Sequence, residues 1–173
     1  GRDYGNSGDY DCRFPGLNAR MSELHAAVAL ASLSHLDEAV ARRGELARQF
    51  AAETQGLPGL VPAAVAEGDT STYKDLTVVV EPEQFGLGAA ELGRALLAEG
   101  VDTRRYYYPP IHLQKAYADR WPRRRDLPVT EELSGKVLTL PLWSQMTPAE
   151  VSSLAGAVAR IHQSAGEVRP AVA

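Results

Sequence analysis

Leu76-Thr77-Val78-Val79-Val80 is short, apolar and β-branched, and it reads as a buried strand. Residues 88–99 follow with Leu92, Ala95 and Leu96 at helical spacing and Gly100 as a C-terminal stop. Residues 101–107 alternate as a second strand. Pro109-Pro110 must end it, because proline cannot donate to a ladder. Residues 113–119 and 130–136 read as short helices. Between them lies a loop holding Arg123-Arg124-Arg125, a solvated basic triplet. Residues 137–142 form a third short strand. Thr147-Pro148-Ala149-Glu150 combines a capping box with proline at the first helical position. Val151, Leu154, Val158 and Ile161 continue that helix, and the tail after Gln163 reads as frayed.

Upstream of the first strand, residues 57–69 are rich in Pro, Gly and Ala and read as a linker. Before them, Ala26, Leu30, Leu33, Leu36, Val40, Ala47 and Phe50 recur at mostly helical steps, which predicts one long helix over 22–55. Ser22 serves as its N-cap, Gly44 marks a bend, and Gly56 and Pro58 end it. A helix of that length bridges two domains, with only part of it packing on the rest of this chain. The remaining apolar face is expected to be exposed. Residues 1–17 carry four glycines and read as a loop entered from a preceding segment. The organisation expected is therefore a loop and long interdomain helix over 1–56, then a small α+β domain over 57–173. Its architecture is a short sheet with helices on one face.

Composition narrows the function. The 173 residues carry a net charge of −4, which supplies no global basic field for nucleic acid or membrane. One cysteine, Cys12, makes neither an internal disulfide nor a cysteine-rich zinc site, and a cytoplasmic location is the default. His25, His35 and His162 fall on helical stretches with no i, i+4 pair, so no metal site is supported. The segment Arg104-Arg105-Tyr106-Tyr107-Tyr108-Pro109-Pro110-Ile111-His112 concentrates guanidinium, phenol and imidazole groups. Two readings of it stay open. It grips a phosphate and stacks a ring, or it is a strand end with solvated arginines and interface tyrosines. RNA binding through Arg104 and Arg105 is a third idea, disfavoured by the acidic balance.

Three elements, in order, carry a resemblance. Gly16-Leu17-Asn18-Ala19-Arg20-Met21-Ser22-Glu23 resembles the G-x-N-x-R-M-[ST]-[ED] element of the DegT/DnrJ/EryC1/StrS aminotransferases, with Leu36-Asp37-Glu38 and Ala41-Arg42-Arg43 following on its helix. Residues 106–114 resemble the family's Y-x-P-P-[IL]-H-x-Q turn. Residues 138–146, LTLPLWSQM, resemble its L-x-L-P-L strand. The resemblance implies the C-terminal part of the fold type I, pyridoxal 5'-phosphate (PLP) dependent architecture, an α/β fold. It implies a homodimer with active sites at the subunit interface, and amino transfer, usually from glutamate, to a nucleotide-linked keto sugar in amino-sugar, polysaccharide or antibiotic biosynthesis. Asn18 then matches the asparagine that reaches the neighbouring subunit's cofactor phosphate, with Arg20 in the same element. Tyr106 and Tyr107 fall where the family contacts the sugar nucleotide, although Tyr106 departs from its histidine; His112 either orients the turn or touches substrate, and Lys74 could reach a substrate phosphate or be a solvated strand-end lysine. The Schiff-base lysine belongs upstream of the Asn18 element, whereas Lys74, Lys115 and Lys136 all lie downstream. The large cofactor domain is thus expected to be missing from this chain, which would be inactive alone. A non-catalytic family remnant acting as an interaction subunit is the alternative.

Overall fold

A computed structural model describes residues 21–115 and 126–172. The chain divides into two compact units, residues 1–38 and 39–173.

In the first unit, helix α1 (Glu23–Leu33) starts at Ser22, whose hydroxyl accepts from the His25 backbone N–H. No residue of α1 is buried. Leu24, Val28, Leu30 and Leu33 are all exposed, at 74, 60, 69 and 61%. Apolar residues of the predicted long helix are thus exposed, as expected, but they lie around α1 and not on one face of it. The single long helix, however, is two helices. Ser32 Oγ donates to the Val28 carbonyl at 2.9 Å and Ser34 Oγ to the Ala31 carbonyl at 2.7 Å. Such hydroxyls compete for backbone acceptors and favour a helix end. His35 N–H then turns tightly onto the Ser32 carbonyl, and α2 (Leu36–Glu53) begins. Gly44 lies inside α2 without interrupting it.

In the second unit, Leu46, Ala47 and Phe50 of α2 enter the core. The sheet has three antiparallel strands in the order β1 (Leu60–Pro62), β2 (Leu76–Val80), β3 (Val137–Leu140). Strand β1 was not expected inside the linker. It is three residues long, and its proline sits on the edge strand, where a missing N–H costs nothing to the ladder. Leu76 pairs with Leu140 and Val78 with Leu138, so these four side chains share one face, and all are buried. Helix α4 (Ala89–Ala98) lies on that face: a Cβ placed on Gly93 would come within 3.4 Å of Leu138 Cδ1. A short helix, α3 (Pro82–Phe85), precedes it.

Helix α5 (Pro128–Lys136) runs directly into β3. Helix α6 (Pro148–Gln163) has the expected capping box: Glu150 N–H donates to Thr147 Oγ1 at 3.3 Å, and Thr147 N–H to Glu150 Oε2 at 2.7 Å. Its Val151, Leu154, Val158 and Ile161 join Phe85, Leu87, Leu92 and Leu96 in the core. Fully burying each such side chain contributes about 1.5–3 kcal/mol.

Two expectations are corrected here. The tail does not fray but forms α7 (Ala165–Val172), with Ala165 buried and Arg169 Nη2 donating to the Gly86 carbonyl at 2.6 Å. This anchorage is tertiary, so no local signal announced it. Residues 101–107 do not form a strand. Only Arg104 pairs, exchanging both backbone bonds with Thr139 at 3.0 and 2.7 Å. The chain then turns, with Tyr108 N–H returning to the Arg105 carbonyl.

Candidate functional site

The turn that interrupts the expected strand carries the tyrosines outward. Tyr106, Tyr107 and Tyr108 are all exposed, whereas Pro110 is buried and fixes the end of the turn. The Tyr106–Tyr107 and Tyr108–Pro109 peptide bonds are cis. The Tyr106 and Tyr107 rings contact each other, tilted by 40° with centres 5.0 Å apart. Together with Ile111, Leu133 and Val137 they line an apolar groove of about 330 Å³. Leu133 belongs to α5 and Val137 to the sheet face opposite the core. The groove therefore exists because the sheet's second face is only partly covered.

Lys74 comes to this place from the loop before β2. Its Nζ stands 5.5 Å from the centre of the Tyr106 ring and 3.1 Å from Asp75 Oδ2. The hydrogen bond it donates to Asp75, then the charge of that carboxylate, holds the ammonium above its ordinary range. An exposed cation beside two aromatic faces suits a ligand with an anionic group next to a ring or sugar. The structure thus brings Lys74 to the adjacent pair Tyr106 and Tyr107, far from it in sequence.

The other candidates have local work. His112 sits on a 3₁₀ turn (Ile111–Leu113), and its Nε2 lies 3.1 Å from Glu131 Oε1 in the first turn of α5. It ties the turn to that helix. Arg105 donates to the Ser134 and Gly135 carbonyls, at 3.4 and 3.1 Å, and lies 4.0 Å over the Tyr108 ring. It caps the C-terminal carbonyls of α5. Arg104 pairs with Asp102. Both arginines are thus engaged within the chain, while the three tyrosines are exposed. His162 Nδ1 donates to the Phe85 carbonyl, 2.9 Å away, as a half-buried helix residue. Asn18, Arg20, Cys12 and the Arg123-Arg124-Arg125 triplet lie outside the described residues.

Sequence reasoning passed over Glu131, Asp75 and Arg43, which hold His112, Lys74 and the Lys74 loop respectively. Only the adjacency of Asp75 to Lys74 was visible in the chain. The other two partnerships span 19 and 29 residues.

Anchoring PLP requires an amine that is neutral when it attacks the aldehyde. Lys136 Nζ is held between Glu132 and Glu81, at 2.6 and 2.9 Å, and these carboxylates push its pKa up to about 12. Lys74 is likewise held as a cation. Both amines are paired with carboxylates.

Residues 1–159 match the DegT/DnrJ/EryC1/StrS aminotransferase family. A dTDP-3-amino-3,4,6-trideoxy-alpha-D-glucose transaminase of Streptomyces venezuelae is 35% identical over 141 residues, covering 82% of this chain and 36% of the relative. A dTDP-3-amino-3,6-dideoxy-alpha-D-galactopyranose transaminase of Aneurinibacillus thermoaerophilus is 31% identical over 160 residues, covering 92% and 41%. The crystal structure of DesI with its TDP-sugar product superposes with a TM-score of 0.83 at 27% identity, covering 90% of this chain and 39% of DesI. That of S. venezuelae DesV in complex with a ketimine intermediate gives 0.77 at 31% identity, covering 93% and 42%. The chain spans about two-fifths of the length of these proteins. The order of motifs, the matched family and the shared fold agree: the chain belongs to the DegT/DnrJ/EryC1/StrS aminotransferase family.

Proposed function

We propose that this chain is the C-terminal, substrate-facing part of a PLP-dependent aminotransferase. The enzyme moves an amino group, from glutamate, to a keto sugar carried on a nucleotide. The observation that carries this reading is the meeting of Lys74 with Tyr106 and Tyr107 beside an apolar groove. The ammonium attracts a phosphate of the nucleotide, and the aromatic faces take the sugar or base. The relatives named above act on dTDP-linked sugars, which supports the nucleotide-sugar class.

In this reading the Schiff-base lysine lies upstream of the Asn18 element, where the resemblance puts it, whereas Lys74, Lys115 and Lys136 all lie downstream. Asn18 and Arg20 serve the cofactor phosphate across a homodimer interface, and His112 orients the turn that presents the tyrosines. No helix among the described residues is long and apolar enough to cross a membrane, in keeping with a cytoplasmic biosynthetic role.

The test is amino transfer by the full polypeptide that carries this chain, supplied with PLP, glutamate and a dTDP-linked keto sugar. Formation of 2-oxoglutarate should depend on the sugar nucleotide. Lys74→Ala and Tyr106→Ala should each raise the KM for it by about tenfold, equivalent to about 1.4 kcal/mol. Turnover with no dependence on the sugar nucleotide, or variants with unchanged KM, would refute the reading.

A further inference from the structure

Lys74 sits on a loop that would not by itself hold one conformation. Tyr73 has φ +42°, a left-handed backbone that a tyrosine adopts only under restraint. Two hydrogen bonds restrain the Thr72–Tyr73 peptide. Tyr73 N–H donates to Ser71 Oγ at 3.1 Å, and Arg43 Nε, from α2, donates to the Thr72 carbonyl at 2.7 Å. The second is a charge-assisted bond spanning 29 residues, from a rigid helix to the peptide next to Tyr73.

Ala41 and Gly44 line one groove against Ser71 and Tyr73, and Ala47 and Ala51 line a second against the same pair. The buried Gly44 is not required by this packing, since a Cβ there would meet only Arg48 Nη1, at 3.5 Å. Beyond the restrained peptide, Lys74 points its Nζ to Asp75 and the Tyr106 ring.

We propose that Arg43 is a positioning residue: its grip on the Thr72 carbonyl holds the Tyr73 backbone so that Lys74 stands over Tyr106, ready for an anionic group of the substrate. This rests on the reading of Lys74 given above. Arg43 itself touches neither Lys74 nor the groove. Its effect should therefore disappear when Lys74 is absent.

The experiment is a double-mutant cycle on the full polypeptide, measuring KM for the dTDP-linked keto sugar and kcat separately. Arg43→Ala should raise KM by about tenfold while kcat changes less than about twofold, the pattern of lost ground-state positioning. Lys74→Ala should do the same, and the double variant should be no worse than Lys74→Ala alone. Arg43→Lys, which keeps a donor within reach of the carbonyl, should recover part of the loss. If Lys74→Ala raises KM but Arg43→Ala does not, or if the two effects add fully, the positioning role is overturned and the reading of Lys74 survives. If Lys74→Ala leaves KM unchanged, the reading itself fails and takes this inference with it. If Arg43→Ala and Arg43→Gln both fail to fold, Arg43 is a stability residue and the inference is likewise overturned.

Discussion

His112 Nε2 lies 3.1 Å from Glu131 Oε1 and so joins the 3₁₀ turn behind the tyrosines to the first turn of α5. Both side chains are largely sheltered from solvent, at 19 and 27% exposure. A hydrogen bond in this setting contributes about 1 kcal/mol. His112→Ala should lower the unfolding midpoint by roughly 2–4 °C. An unchanged melting curve would mean that the turn is held by Pro110 and the Arg105 contacts without the imidazole.

Arg105 and Arg104 are neighbours in sequence with different duties. Arg105→Ala would strand the Ser134 and Gly135 carbonyls and remove the stack on Tyr108, at a cost of about 2 kcal/mol. Arg105→Lys should not restore it, since one ammonium replaces a planar fork. Arg104→Ala should fall within about 0.5 kcal/mol of the parent, because its exposed partner Asp102 contributes little. Chemical denaturation of the three variants checks the order. Equal losses at both positions would contradict it.

Gly59 turns the chain into β1 with φ +73°, and a Cβ there would lie 2.4 Å from Phe85 N and 2.7 Å from the Glu81 carbonyl oxygen. Those are backbone atoms that cannot step aside, and the Gly59 carbonyl already accepts from Glu81 N–H. Gly59→Ala should cost at least about 2 kcal/mol. Gly100→Ala, with φ +80° but open space around it, should cost less. Comparable denaturation midpoints for the two would show that the strand edge yields.

Lys136 has its pKa raised from 10.5 to about 12, first by the hydrogen bond to Glu132 and then by that to Glu81. A cation with a raised folded-state pKa stabilises fully below its unfolded pKa. That contribution fades as pH rises through about 12. The gap in denaturation midpoint between the parent and Lys136→Met should therefore be constant from pH 7 to 10 and close above it. A gap that widens with rising pH would reverse the assignment.

The sequence by itself determined the elements whose causes are local. Strand β2 was visible in its β-branched run, and α4 in its apolar spacing and stop. Helix α6 was visible in the Thr147–Glu150 box, where cap and proline act within one turn. The family, too, was legible, because its three motifs are contiguous strings. Tertiary structure alone decided the rest. Residues 101–107 alternate like a strand, yet only Arg104 finds a partner, because the neighbouring residues turn away to meet α5. The tail is a helix because Gly86 and Arg94 receive it, 83 and 78 residues back along the chain. At the site, the sequence offered Lys74 and Tyr106 as separate candidates. Around that meeting, Arg43 holds the Thr72 carbonyl, Glu131 holds His112, and Arg105 holds the end of α5. These contacts link distant parts of the chain, where the pairing of a charge with a carbonyl leaves no local pattern to read.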